Sequence, residues 1–124
     1  MPSVIIFCKT FLKGGAEKQA LTLAKLLNGK ETDVIVISWC GDQIDNANLA
    51  FIKENSLTYL GLKGNFLSKF QHFNKIIRRE KVSIVFSYLT LANFVAGLSK
   101  LFNRHLITIG GIRTEQFPAY KLVF

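Results

Sequence analysis

Residues 4–27 read V-I-I-F-C-K-T-F-L-K-G-G-A-E-K-Q-A-L-T-L-A-K-L-L, and this stretch decides the fold. Its first five residues are apolar on both faces and rich in β-branched side chains, which is typical of a buried parallel strand. Apolar residues then recur on one helical face, at Ala16, Ala20, Leu23, Ala24 and Leu27. The stretch therefore predicts a strand, a glycine-containing turn and a helix, which together open a β-α-β unit.

The rest of the chain repeats this alternation. Four more apolar runs of strand length lie at residues 33–39, 57–62, 82–88 and 105–109. Helical patterns separate them, at residues 44–54, 66–77 and 91–102. This spacing predicts an α/β fold with a doubly wound, Rossmann-like parallel sheet, because right-handed crossovers place helices on both faces. A reversal after the third strand gives the order 3-2-1-4-5.

Length and composition narrow the class of protein. The 124 residues fit one domain, 1–124, and 49% apolar with 19% charged residues indicates a folded globular chain. The formal charge of +8 favours an anionic partner: a phosphate, a membrane surface or nucleic acid. The apolar runs are too short for a membrane-spanning helix or a secretion signal, so a cytoplasmic location is the default expectation. Residues 118–124 have the pattern of a helix that breaks off at the last residue, which favours a domain cut short at its C-terminus.

The reactive side chains predict neither a metal nor a resident cofactor. Cys8 and Cys40 both end apolar runs and are expected to be buried structural thiols, too few for a disulfide framework or a four-ligand zinc site. No carboxylate cluster has the spacing of a metal site. His105 is expected to be structural, and His72 to be solvated on the polar side of its helix.

The strongest candidate site is the pair Gly14 and Gly15 at the start of the first helix. Free backbone N–H groups and the helix dipole favour an anion there, and glycine lets a phosphate approach closely. The same pair could simply make a tight strand-to-helix turn. The spacing is neither G-x-G-x-x-G nor that of a P-loop, which disfavours dinucleotide-binding dehydrogenases and excludes P-loop nucleotide hydrolases.

The block K-G-G-A-E-K-Q-A-L-T-L-A-K-L-L, residues 13–27, resembles the opening of family-4-type glycosyltransferases of the GT-B fold. Their N-terminal domains read G-G-A-E-[RK]-x-x-x-x-L-A at this point, and residues 76–93 and 109–115 show weaker similarity. The resemblance implies the N-terminal, acceptor-side domain of a retaining enzyme. It would move a sugar from a nucleotide-diphosphate sugar to a glycan or lipid-linked acceptor, and a donor-binding domain would lie outside this chain. These 124 residues alone are then expected to be inactive.

The same resemblance implies roles for six residues. Gly14 and Gly15 would lie beside the donor diphosphate. Tyr88, Thr90 and Asn93 would line the acceptor side, and Arg113 would face the cleft. Thr90 equally suits an N-cap of the following helix, and Arg113 a solvated loop. The loop 110–115 lacks the histidine that many relatives have there, so no catalytic residue is assigned.

Two further interpretations concern partners. The segment 66–81, which begins at Phe66 and ends at Lys81, is basic and amphipathic, as in helices that lie on the inner face of an anionic membrane. Its apolar face could equally cover the sheet while its cations stay in water, and the two are compatible. The alternative function is a non-catalytic Rossmann-like module that binds nucleotides or nucleic acid. Nucleic acid is not expected, because the Phe residues fall in helical stripes or strands that predict a core.

Overall fold

The computed structural model describes residues 3–29 and 31–111. The elements in chain order are β1 (Ser3–Cys8), α1 (Gly15–Leu27), β2 (Asp33–Ser38), α2 (Asn46–Glu54), β3 (Thr58–Gly61), α3 (Phe66–Arg79), β4 (Val82–Tyr88), α4 (Leu89–Phe102) and β5 (Ile107–Gly111). The five strands are parallel and form one sheet in the order β3-β2-β1-β4-β5. Helices flank this sheet, which confirms the predicted Rossmann-like, doubly wound fold and its strand order.

The core lies on both faces of the sheet, and β1 is its centre. All six residues of β1 are buried. Ile5 and Phe7 pack in the cluster formed with α3 and α4, whereas Val4 and Ile6 pack in the cluster formed with α1 and α2. Alternate side chains of a strand point to opposite faces, so a strand that is apolar throughout becomes central.

The end of the sheet differs from the sequence prediction. β5 begins at Ile107 and not at residue 105, because Ile107 pairs with Ile84 of β4 while Arg104 and His105 stay exposed in the preceding turn. His105 is thus a solvated residue and not a structural one. α4 begins at Leu89, directly after β4, and Leu89 takes a φ of 71° to make that turn. The helix-like residues 118–124 lie outside the described part of the chain.

The aromatic stripes are less buried than predicted. Phe66, Phe94 and Phe102 are 46%, 57% and 67% exposed, which corrects their assignment to the core. Phe66 and Phe102 are the first and last residues of their helices. α4 is also turned by about one residue relative to the predicted stripe, since its buried residues are Ala92, Val95, Ala96 and Ser99. The buried face of α4 thus consists mostly of small side chains, whereas Phe94, Leu101 and Phe102 are exposed.

Candidate functional site

The strand order reverses between β1 and β4, and their last residues are neighbours. Cys8 pairs with Tyr88 in the parallel register. α1 follows β1 on one face of the sheet, and α4 follows β4 on the other. The two helix N-termini therefore flank the carboxyl edge of the sheet at its switch point. In doubly wound sheets ligands bind at this place, called here the crevice.

The glycine pair lies at the first of these N-termini. Gly14 is the N-cap of α1, its φ of 179° is extended backbone open to any residue, and both glycines are exposed. A Cβ on Gly15 would have no described atom within 4 Å, and one on Gly14 would meet the carboxylate of Glu17, the far end of a flexible side chain. The local fold therefore does not need glycine at either position. What the pair supplies is open backbone at Gly15 at the helix start, with the carboxylate of Glu17 beside Gly14.

The helices at the crevice differ from the other two in how they begin. Asp45 caps α2 by accepting from the N–H of Ala47 at 3.1 Å, and Asn65 caps α3 by accepting from the N–H of Ser68 at 2.8 Å. No described side chain caps α1 or α4. The first turns of α1 and α4 thus receive no hydrogen bond from the side chain of their N-cap residue, and the helix dipole favours an anion at both.

The loop that carries the glycines is held in place on its other side. Phe11 is fully buried, and its backbone exchanges hydrogen bonds with Gln43 at 2.9 Å and with Asp45 at 3.0 Å. The amide of Asn48 in α2 donates to the carbonyl of Phe11 at 2.6 Å. These contacts tie residues 9–13 to the start of α2, so the glycine turn sits on a fixed support.

Between α1 and α2 this arrangement leaves a cleft of about 320 Å³. Its polar lining includes Lys13, Lys18, Asp45 and Asn48, with Gly14 at its edge. The sequence gives no signal for this cleft, because residues 45–51 reach it only through the hydrogen bonds between Phe11 and the start of α2. Lys13 and Lys18 thus line the same cleft as Gly14.

The predicted acceptor-side residues cluster at the other helix start. Tyr88 is half-buried and is the N-cap of α4, so the interpretation of Thr90 as the N-cap is wrong. Thr90 is exposed in the first turn, and Asn93 is half-buried one turn later. The hydroxyl of Ser87 donates to Oδ1 of Asn93 at 2.6 Å, which orients that side chain. Arg113 lies outside the described residues.

A smaller polar cavity, of about 170 Å³, lies beside this cluster between α4, β4 and β5. Ser87, Asn93, Lys100 and Thr108 supply its polar lining. Lys100 donates from Nζ to the carbonyl of Leu106 at 2.5 Å, which holds its ammonium at the wall. Sequence patterns gave no signal for this cavity, because its lining comes from three elements.

The thiols and histidines do not form a reactive centre in the described part of the chain. Burial raises the pKa of the Cys8 thiol far above its ordinary value, and the charge of Glu17 raises it further. Cys8 is thus a buried structural thiol, as predicted, whereas Cys40 is half-buried. His72 is exposed, as predicted. Residues 3–29 and 31–111 contain no group of three or more His, Cys, Asp or Glu that could hold a metal ion.

Comparisons with family models, with curated proteins and with solved structures find no match. What the site does is therefore inferred from its own residues. Among the described helices, none has the length and apolar character needed to cross a membrane.

Proposed function

We propose that this chain is the acceptor-side domain of a retaining GT-B glycosyltransferase, which moves a sugar from a nucleotide-diphosphate sugar to a glycan or lipid-linked acceptor. One observation carries the proposal. The G-G-A-E block, residues 14–17, puts two exposed glycines at an uncapped helix start beside the switch point of the sheet. A diphosphate can meet backbone N–H groups there at Gly15, and the carboxylate of Glu17, which lies beside Gly14, has to swing aside for it.

The chemistry follows from positioning and electrostatics. The leaving diphosphate gains negative charge in the transition state, and oriented N–H groups stabilise charge without reorganising. The first turn of α1 supplies such groups at Gly15 and Ala16, and Lys13 adds a cation immediately before the turn. No side chain of this domain has to take part in a covalent step.

The acceptor would lie on the α4 side of the crevice. Thr90 and Asn93 can hold an acceptor hydroxyl there, and the hydrogen bond from Ser87 keeps Asn93 in one orientation. Holding two reactants in line is worth several orders of magnitude in rate. The role of this domain in the proposal is to align the acceptor with the donor diphosphate.

The resemblance also implies that a second domain binds most of the donor. The crevice of this chain offers a few phosphate contacts, whereas association costs at least ~4 kcal/mol in lost freedom. The 124-residue chain should therefore bind nucleotide-sugars weakly and turn none over. We also expect that a form continued through the reading frame after Phe124 transfers sugar.

The test is an assay of both forms with a panel of nucleotide-sugars, in which the released nucleoside diphosphate is measured. Turnover confined to the longer form supports the proposal. Turnover by the 124-residue chain at a rate near that of the longer form would contradict the expectation that a second domain is needed to bind the donor. The absence of turnover in both forms with every donor would contradict the transferase assignment itself.

A further inference from the structure

Two helix ends together present an apolar surface to solvent. At the start of α3, Phe66 and Leu67 are 46% and 62% exposed, and at the end of α4, Leu101 and Phe102 are 72% and 67% exposed. The ring of Phe70 joins them, because its centroid lies 6.2 Å from that of Phe66 and 5.9 Å from that of Phe102. Ring contacts thus join Phe66, Phe70 and Phe102 across the two helices. These rings and the adjacent exposed Leu67 and Leu101 are called here the α3–α4 surface.

The α3–α4 surface packs on aromatic residues of the core. Phe66 packs on Trp39, with 5.1 Å between ring centroids, and Trp39 packs on the central Phe7 at 6.2 Å. Beneath it, Asn103 donates to Oδ1 of Asn74 at 2.8 Å and links the two helices. The rings of Phe66 and Phe102 thus pack against other rings of the protein, so binding through them loses little conformational freedom.

The two helices that carry this surface have charges of one sign only. α3 and α4 contain five cations and no Asp or Glu; the cations are Lys69, Lys75, Arg78, Arg79 and Lys100. Glu80 directly follows α3, and its carboxylate is paired with Arg79 at 3.1 Å. Exposed apolar side chains on two helices that carry a net positive charge are complementary to anionic headgroups above acyl chains.

We infer that the α3–α4 surface docks this protein on an anionic membrane. A second copy is disfavoured because both partners would bring the same positive charge. Nucleic acid is disfavoured because only two of the four exposed side chains, Phe66 and Phe102, offer a ring on which a base can stack, whereas all four can enter the acyl boundary. The inference goes beyond the proposed function, since it holds whatever reaction the crevice supports.

The structure also relocates the contact expected from the sequence. The apolar residues in the second half of α3, such as Ile76 and Ile77, are buried against the sheet. They cannot enter a membrane. The contact is therefore centred on the first turn of α3 and the last turn of α4. The cations farther along α3 attract the anionic headgroups from beside this contact.

The experiment is flotation of the 124-residue chain with vesicles of phosphatidylcholine, with and without phosphatidylglycerol, at low and high salt. We expect binding to the anionic vesicles that weakens with salt. The pair Leu101→Ser with Phe102→Ser should lower the partition coefficient at least about tenfold, because two exposed apolar side chains are lost. The matched control is Leu26→Ser, which removes a 75% exposed leucine of α1 and should leave partitioning unchanged.

A second pair of variants tests the charge. Lys75→Gln, on α3, should lower partitioning about fivefold, the effect of one cation near an anionic surface. Lys53→Gln, an exposed lysine of α2, removes the same charge on the other face of the sheet and should change it little. Equal losses in the two variants would show that only net charge matters, and would overturn the assignment to this surface.

Three other results would also overturn the inference. One is an absence of binding to anionic vesicles. Another is binding of a single-stranded oligonucleotide that the Leu101→Ser, Phe102→Ser pair abolishes while vesicles stay unbound. The third is self-association in analytical ultracentrifugation that the same pair abolishes without vesicle binding. The last two would reassign the surface to nucleic acid or to a second copy of the chain.

Discussion

Gly41 and Gly61 touch through their backbones. A Cβ on Gly41 would lie 2.6 Å from the Cα of Gly61, and one on Gly61 would lie 2.5 Å from the Cα of Gly41. The N–H of Gly41 donates to the carbonyl of Leu62 at 3.1 Å, and the hydroxyl of Tyr59 donates to the carbonyl of Gly41 at 3.3 Å. The loop after β2 therefore lies directly against the end of β3, and no side chain fits between them.

The first prediction is that Gly41→Ala or Gly61→Ala lowers the free energy of unfolding by about 3 kcal/mol, because the added methyl meets backbone that cannot yield. Urea denaturation of each variant measures the change. The control is Gly29→Ala, where a Cβ meets no described atom within 4 Å, and its effect should stay within about 0.5 kcal/mol. Equal changes at all three positions would contradict the close approach.

A second prediction concerns the glycine inside α4. Gly97 is exposed, and a Cβ placed there has no described atom within 4 Å. Gly97→Ala should therefore raise the free energy of unfolding by about 0.5–1 kcal/mol, since alanine loses less backbone entropy in a helix. The midpoint of urea denaturation should rise at an unchanged slope. A lower midpoint would mean that this face of α4 is closely packed.

The third prediction addresses the polar link between α3 and α4. The buried amide of Asn74 donates to the carbonyl of Phe70 at 2.9 Å and to the hydroxyl of Ser99 at 3.1 Å, and it accepts from Asn103. Asn74→Ala leaves the amide of Asn103 short of an acceptor and should lower the free energy of unfolding by about 2 kcal/mol.

The comparison that checks this link is Asn55→Ala. Its side chain also donates to a carbonyl four residues back, that of Phe51 at 2.9 Å, but it joins no second helix. Its loss should cost about 1 kcal/mol or less. A double-mutant cycle between Asn74 and Asn103 should give non-additive changes, and strict additivity would show that the two amides act independently.

Stability should fall at alkaline pH, and Cys8 should account for the first part of the fall. The pKa of its thiol in the folded protein is raised far above the ordinary 9.0 by burial and by Glu17, whereas the unfolded chain keeps the ordinary value. Above that pH the unfolded state binds fewer protons than the folded state. The contribution is therefore complete below about pH 9 and is lost above it, by about 1.4 kcal/mol per pH unit.

Unfolding free energies measured between about pH 8 and pH 10 test this assignment. In Cys8→Ala the decline should begin later and follow Tyr59, whose pKa is raised by burial, while a hydrogen bond with Ser38 lowers it and the charge of Asp42 raises it. The same decline in the variant and the parent would exclude Cys8 as its source.

The last substitution tests the glycine turn. Gly15→Val should leave stability within about 0.5 kcal/mol, since a Cβ at Gly15 has no described atom within 4 Å. In the sugar-transferring form it should lower kcat/KM by at least about a hundredfold, as expected when the N–H groups of α1 no longer reach the charge of the diphosphate. Gly29→Val, just after the other end of α1, should change neither quantity. Unchanged kinetics in Gly15→Val would reduce the glycines to turn residues.

Sequence patterns predicted the fold well where an element is determined by its own residues and not by contacts with distant ones. The bounds of β4, Val82–Tyr88, agree with prediction, because its apolar and β-branched run is set off sharply from its neighbours. The start of β5 was predicted at residue 105 and lies at Ile107, because it depends on pairing with Ile84 of β4. The start of α4 was missed because a leucine at a φ of 71° has no sequence signature.

The candidate site was predictable only in part. The glycine turn stands out in the sequence, because a Gly-Gly pair between a buried strand and an amphipathic helix has few structural roles. The cleft beside it depends on the seating of Phe11 against α2, and the exposure of Phe102 depends on the rotation of α4 toward its small residues. Both features arise from tertiary packing, which periodicity along one helix does not encode.

Amide chemical shifts of the isotope-labelled chain, followed during titration with pyrophosphate and then with nucleotide-sugars, locate the bound diphosphate most directly. The account predicts that the largest shifts occur in the first turn of α1, at Gly15, Ala16 and Glu17. Smaller shifts are expected at Thr90 across the crevice, and Gly15→Val should abolish the shifts at all four residues. Shifts that spare the first turn of α1, or that persist unchanged in Gly15→Val, would contradict the proposed diphosphate site.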